Sequence, residues 1–281
     1  MHPARRLWAS LEPLHDVVYF APGVREAGIS IGLRGYWMTY FAFRAAPLGP
    51  VGAGPVVAAF AGFEPSMVAK ALPDAWTRTT PAACLAARVE VSTAALRGVG
   101  VDESVCAAVA AELDPVLAAA DGTGRPLHAA NAALPVPGDP MAALWQVATT
   151  LREHRGDGHV AALVAAGVSG LEALLLQVAS GKFPAEQMRS VRGWSSASWA
   201  AAADGLLERG LLAPDGALTP TGRELLADVE ERTDAASWQG GLSAVGEAGV
   251  DRLVELLRPS VSALWSSGVL PEVNPTGLRR A

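Results

Sequence analysis

Lysine is nearly missing from this sequence: Lys70 and Lys182 stand alone, and arginine carries the rest of the positive charge. Acids outnumber bases, for a net charge of −6. A protein that grips nucleic acid by neutralising phosphates is normally basic, at least locally, so this balance weighs against that mode of binding. Cysteine is equally scarce. Cys84 and Cys106 sit in Ala-rich stretches with no close partner, which excludes a disulfide framework or a cysteine metal centre and fits a reducing, cytoplasmic setting. No window holds eighteen consecutive apolar residues, so no membrane span is expected. The basic start Met1-His-Pro-Ala-Arg-Arg leads to Glu12, His15 and Asp16 and makes a poor secretory signal. Three familiar chemistries lack their motifs: no phosphate-binding Gly-x-x-x-x-Gly-Lys-Ser/Thr loop, no Gly-x-Ser-x-Gly elbow, and no dinucleotide fingerprint on a strand.

What is present is alanine and leucine at helical spacing, with few β-branched runs, and a pattern that occurs twice. In the second half, Pro184 to Trp199 reads as helix, turn at Gly193 and second helix. Leu212-Ala-Pro-Asp-Gly-Ala-Leu then supplies a short hairpin with Asp215-Gly216 at its tip, and Thr219-Pro220 opens another helix. That is the order of a winged helix-turn-helix. In the first half, Gly62-Phe63 matches Gly193-Trp194, Thr80-Pro81 matches Thr219-Pro220, and the stretch after Ala71 is too short for a wing. The matches keep their order, which implies duplication, with the helices near 100–120 and 250–267 as a seam. Pro-rich Leu134–Pro140 marks the boundary between an N-terminal lobe at 1–133 and a C-terminal lobe at 141–268, and 269–281 is an irregular tail.

This layout resembles the MarR-like winged-helix proteins, which act as two-fold dimers. The chain resembles more closely an actinobacterial helix-turn-helix family, on Pro13-Leu-His-Asp-Val-Val-Tyr-Phe-Ala-Pro22 and Leu151-Arg-Glu-His-Arg-Gly-Asp-Gly-His159. The resemblance implies a helix-turn-helix fold over most of the chain and names no activity. Major-groove readers present Arg, Lys, Asn or Gln near the start of the recognition helix. The two candidate helices, about 65–74 and 196–209, offer Lys70 and a terminal Arg209 among Ala, Ser, Asp204 and Glu208. DNA binding is therefore disfavoured by charge.

Polar residues gather in two places. Arg152 to His159 is the densest polar stretch, and its two glycines predict a break between helices. It reads either as a binding or acid–base site using His154, His159, Arg155 and Asp157, or as a plain turn with Asp157 capping the next helix. The first half carries His15, Asp16, Tyr19, Arg25 and Glu26, then Tyr36, Trp37, Tyr40, Phe43 and Arg44. Tyr36, Tyr40 and Phe43 share one helical face. That stripe is either core or the wall of a pocket for a planar ligand, with Arg25 or Arg44 holding an anionic group.

The expected fold is mainly α, two winged-helix-like lobes in pseudo-two-fold arrangement with a small β-hairpin wing, as a monomer or homodimer. The expected function is binding of a planar, anionic small molecule by His15, Tyr19, Arg25, Tyr36, Trp37, Tyr40, Arg44, Arg155 and Asp157. The alternatives are a ligand-responsive DNA-binding regulator, or an enzyme with His154 and His159 as catalytic groups. No metal-ligand spacing occurs, single-histidine haem ligation needs no motif, and the cofactor is left unknown.

Overall fold

The computed structural model describes residues 1–280, and among these the regular structure is helical throughout. The first half contains α1 (Pro3–Phe20), α2 (Val24–Ser30), α3 (Gly35–Ala45), α4 (Ala53–Phe60), α5 (Pro65–Ala69), α6 (Pro81–Gly98), α7 (Glu103–Ala119) and α8 (Pro126–Ala132). The second contains α9 (Pro140–Ala165), α10 (Gly170–Ala179), α11 (Ala185–Val191), α12 (Ser196–Glu208), α13 (Pro220–Gln239) and α14 (Gly246–Ser267). No single helix is long and apolar enough to cross a membrane.

Local chemistry explains the helix starts. Thr80 and Thr219 each cap a helix whose first residue is proline, the hydroxyls accepting from Ala83 N–H (3.1 Å) and Gly222 N–H (3.0 Å). Asp139 does the same for α9, ahead of Pro140. The periodic stripe Met141, Leu144, Trp145, Ala148 and Leu151 is buried as its spacing predicts.

Two expectations are corrected. The β-hairpin wing is not formed. Between α12 and α13 the chain makes one tight turn, with Ala213 N–H to Ala217 O at 2.8 Å, and a single bridge from Leu212 to Leu218. Pro214 removes a ladder donor and no β-branched residue lies between Leu211 and Leu218, so nothing extends the pairing. The second correction concerns Gly156-Asp157-Gly158, where α9 continues without a break. There the glycines give room for close approach: a Cβ on Gly158 would lie 2.8 Å from Arg125 Nη1.

The packing interleaves the halves. α1 lies along α14, and α9 lies along α7 and α8 and crosses α1. The large core therefore runs across the non-helical 134–139 segment, gathering Leu7, Leu14, Phe41, Trp145 and Leu257. A smaller core, with Leu163, Leu176, Leu206 and Val229, holds the helix-turn-helix of α11 and α12 to the far end of α9.

Candidate functional site

Two adjoining cavities lie where the small core meets the large one. The inner chamber, about 250 Å³, is walled by α3 and α4 on one side and by α9 and α10 on the other, with Val191 and Arg192 of the second helix-turn-helix beside it. The outer chamber, about 930 Å³, lies between the start of α1, α9 and α13. Arg152, Gly156, His159, Gln177 and Thr276 border both and line the junction between them, termed the throat below. Arg152, Gly156 and His159 stand at i, i+4 and i+7 on α9, so one helical face faces the cavities.

Aromatic rings make the inner wall. Tyr40 lies 5.0 Å from Tyr19 and 5.4 Å from Phe63, and Tyr36 lies 5.0 Å from Trp37, centroid to centroid. These distances are those of mutually packed rings. Tyr36 donates its hydroxyl to the Tyr19 carbonyl at 3.2 Å, and burial raises its pKa.

The charges beneath the rings are mostly spent on each other. Glu153, 1% exposed, takes a two-point contact from Arg44 at 2.9 and 3.0 Å and a third bond from Arg152 at 3.0 Å. Burial alone would raise the Glu153 carboxyl, but Arg152 and Arg44 hold it well below the usual carboxylate range. Arg152 also reaches Glu12 at 3.3 Å. Arg192 is different. It stacks on Phe63 at 4.3 Å and donates Nη2 to the Pro275 carbonyl at 2.9 Å, while its buried Nε has no partner and it meets no acid.

Burial keeps His15, His128, His154 and His159 neutral. His15 Nδ1 lies 2.9 Å from the Thr149 hydroxyl, which already donates to the Trp145 carbonyl. That hydroxyl must therefore accept, so His15 carries its proton on Nδ1 and takes the Tyr19 hydroxyl proton on Nε2 at 2.9 Å. The same logic fixes His159: Thr233 donates to Val229 O, so His159 Nδ1–H donates to Thr233 at 3.1 Å, and Nε2 is left as an acceptor. Burial pushes His159 down to about 4 and His154 to about 3.

Of the sequence candidates, Tyr19, Tyr36, Trp37, Tyr40 and Arg44 line the inner chamber, Arg155 the outer one, and His159 both. The others lie elsewhere. His15 is sealed beneath the aromatic wall. Arg25, on exposed α2, faces Glu26 at 3.6 Å. His154 is buried edge-on to His128 at 4.7 Å and borders neither chamber. Asp157 points into the core, where it accepts the His128 backbone N–H at 2.9 Å and burial raises it to about 6. Arg152, Phe63, Gln177, Lys182 and Arg192 were not selected from sequence. The i, i+4, i+7 spacing from Arg152 to His159 was the available signal, hidden by the expected break. Among the described residues, no group of three or more His, Cys, Asp or Glu side chains is arranged to ligate a metal.

The turn between α4 and α5 meets the turn between α11 and α12 beside the inner chamber. Glu64 N–H donates to the Arg192 carbonyl at 2.9 Å, and Trp194 Nε1–H donates to the Gly62 carbonyl at 2.9 Å. Gly193, at φ +78°, fits against Met67, where a Cβ would come within 2.7 Å of its sulfur. Gly170 packs just as closely on Ala61, whose φ of +51° is strained for a residue with a side chain. The starts of α5 and α12 therefore abut. On α12, Ala197, Ala201, Asp204 and Glu208 are exposed, and the helix carries no arginine or lysine.

A helix-turn-helix family model matches residues 4–271. No curated protein and no solved structure matches the chain.

Proposed function

The chain belongs to this helix-turn-helix family, and from that premise we propose that it is a small-molecule-binding helix-turn-helix protein whose paired motifs enclose a ligand. The ligand is planar and anionic, stacked among Tyr36, Trp37, Tyr40 and Phe63 with its negative group on Arg192. The observation that carries this reading is the Arg192 guanidinium, which meets no acid, in an aromatic-walled chamber beside the turn-to-turn contact. We further read the two halves as duplicated copies. Support comes from the matching Thr-Pro caps, the contact between equivalent turns, and the reciprocal packing of α1 on α14 and α9 on α7. On that reading one chain supplies both halves of the pseudo-dimer.

Family membership also favours a second reading, a ligand-responsive DNA-binding regulator. A two-fold reader sets its recognition helices about 34 Å apart, in successive major grooves. Here they start side by side, so this reading requires the turns to separate first. An enzyme reading would rest on His159, since His154 borders neither chamber.

Titration calorimetry with biphenyl-4-carboxylate tests the first reading. Saturable binding is expected, weakened about tenfold or more in Arg192→Gln, which loses the charge-assisted contact. Binding unchanged by that substitution, or no binding at all, defeats the reading. Salt-sensitive duplex binding near ~50 mM salt supports the second one.

A further inference from the structure

On each side of the throat one lining side-chain cation makes no ion pair among the described residues, and in the outer chamber the exposed Glu231 carboxylate is likewise unpaired. In the inner chamber Glu153 and Glu12 satisfy Arg44 and Arg152, and Arg192 remains. In the outer chamber Arg5 holds Asp234 at 2.7 Å and Glu230 at 3.1 Å, and Arg155 holds the same two acids at 2.9 and 3.1 Å. Lys182 remains there, with no ion pair among the described residues, its ammonium 5.6 Å from the Phe183 ring centroid. In a chain with two lysines, one stands at this wall.

The C-terminal strap connects the two places. Pro275 accepts from Arg192, Thr276 donates to Asp16 at 2.8 Å, and Gly277 packs against Lys182 and Phe183. Burial raises Asp16, which lies beneath the cavity walls, well above the usual carboxylate range. His159 Nε2, a lone-pair acceptor, stands between the chambers with Gln177.

We propose that the two chambers form one elongated site for a ligand with two anionic ends, an aromatic dianion whose ring lies among the inner aromatics. One negative group meets Arg192, the other passes the throat to Lys182, and a hydroxyl or amine between them donates to His159. This rests on the ligand-binding reading above and deepens it. An occupied site neutralises both leftover cations, which separate monoanions cannot do with one binding event.

Calorimetry with benzene, biphenyl and terphenyl para-dicarboxylates, each against its own monocarboxylate, tests it. One diacid of matching span is expected to bind about tenfold tighter than its monoacid. Lys182→Gln is expected to erase that advantage while leaving the monoacid unchanged, and Lys182→Arg to restore it. If the monoacids bind through Arg192 but no diacid gains, or if Lys182→Gln weakens both equally, the two-anion site is wrong and the ligand reading stands. If no monoacid binds, the ligand reading fails and takes this inference with it.

Discussion

At the scale of single residues, the chain buries ionisable groups and resolves most of them by pairing or by neutralisation. Glu153 stays charged because two guanidiniums outweigh its burial. Four histidines stay neutral because their burial is not offset. His15, His128, His154 and His159 all lie below the usual histidine value near 6.5. The unfolded chain therefore takes up these protons first, at about pH 6.5, while the folded one resists to lower pH, His159 to about 4 and His154 to about 3. Stability is intact above 6.5 and falls as the pH drops through that window. Asp16 and Asp157, raised by burial, act with the opposite sign, since the folded chain holds their protons more tightly. Four histidines outnumber two aspartates, so the urea midpoint is expected to be lower at pH 5 than at pH 7.5. An equal or higher midpoint at pH 5 means the imidazoles are not buried neutral. His159 at about 4 is largely unprotonated at neutral pH, which suits an acceptor.

At the scale of elements, glycine decides where helices touch. A Cβ on Gly170, at the start of α10, would fall 2.0 Å from the Ala61 carbonyl oxygen, and neither backbone can yield without parting α10 from α4. Gly170→Ala is expected to cost about 1–3 kcal/mol, the range for overpacking a tight contact. Gly156 is the contrast. The nearest atom to a Cβ there is Glu153 Oε2 at 3.6 Å, so Gly156→Ala is expected to stabilise α9 by up to ~1 kcal/mol through helix propensity. Because Gly156 borders both chambers, the same change narrows the throat, and calorimetry is expected to show weaker binding of a throat-spanning ligand. Equal stability of the two alanine variants in urea denaturation contradicts the assigned contacts. The absent wing belongs to this scale too: one bridge at Leu212 and Leu218 is all that a proline and a run without β-branched residues sustain.

At the scale of the whole molecule, the proposed function rests on how the turn before α5 and the turn before α12 are arranged. These turns bond to each other beside the inner chamber, which places the starts of α5 and α12 together. Arg189 and Arg209 of the second motif are engaged with acids, Glu186 and Glu172 respectively, both at 2.7 Å. Trp194→Phe keeps the ring and deletes the indole bond to Gly62 O, so it is expected to cost about 1 kcal/mol. In fluorescence anisotropy at ~50 mM salt, neither the parent chain nor this variant is expected to bind a labelled duplex. Duplex binding by the variant alone means that the closed turns mask a DNA-binding state and moves the balance to the regulator reading.

Sequence by itself determined most of the helices and their caps. Thr80, Asp139, Ser195 and Thr219 act within three residues of where they stand, and the stripe on α9 needed only its period. The break at Gly156-Asp157-Gly158 was misread because a glycine chosen to admit a neighbour looks, in one dimension, like a glycine chosen to bend the chain. The aromatic helix was legible as a candidate wall, but core and pocket share one periodicity, and which it is depends on what lies opposite. Tertiary structure alone decided which charges are spent and which are free. Arg44 and Glu153 are 109 residues apart, and Arg5 and Asp234 are 229 apart. Local patterns fix the face a side chain takes and say nothing of its distant partner. Arg192 and Lys182 stand out only after every such pair has closed.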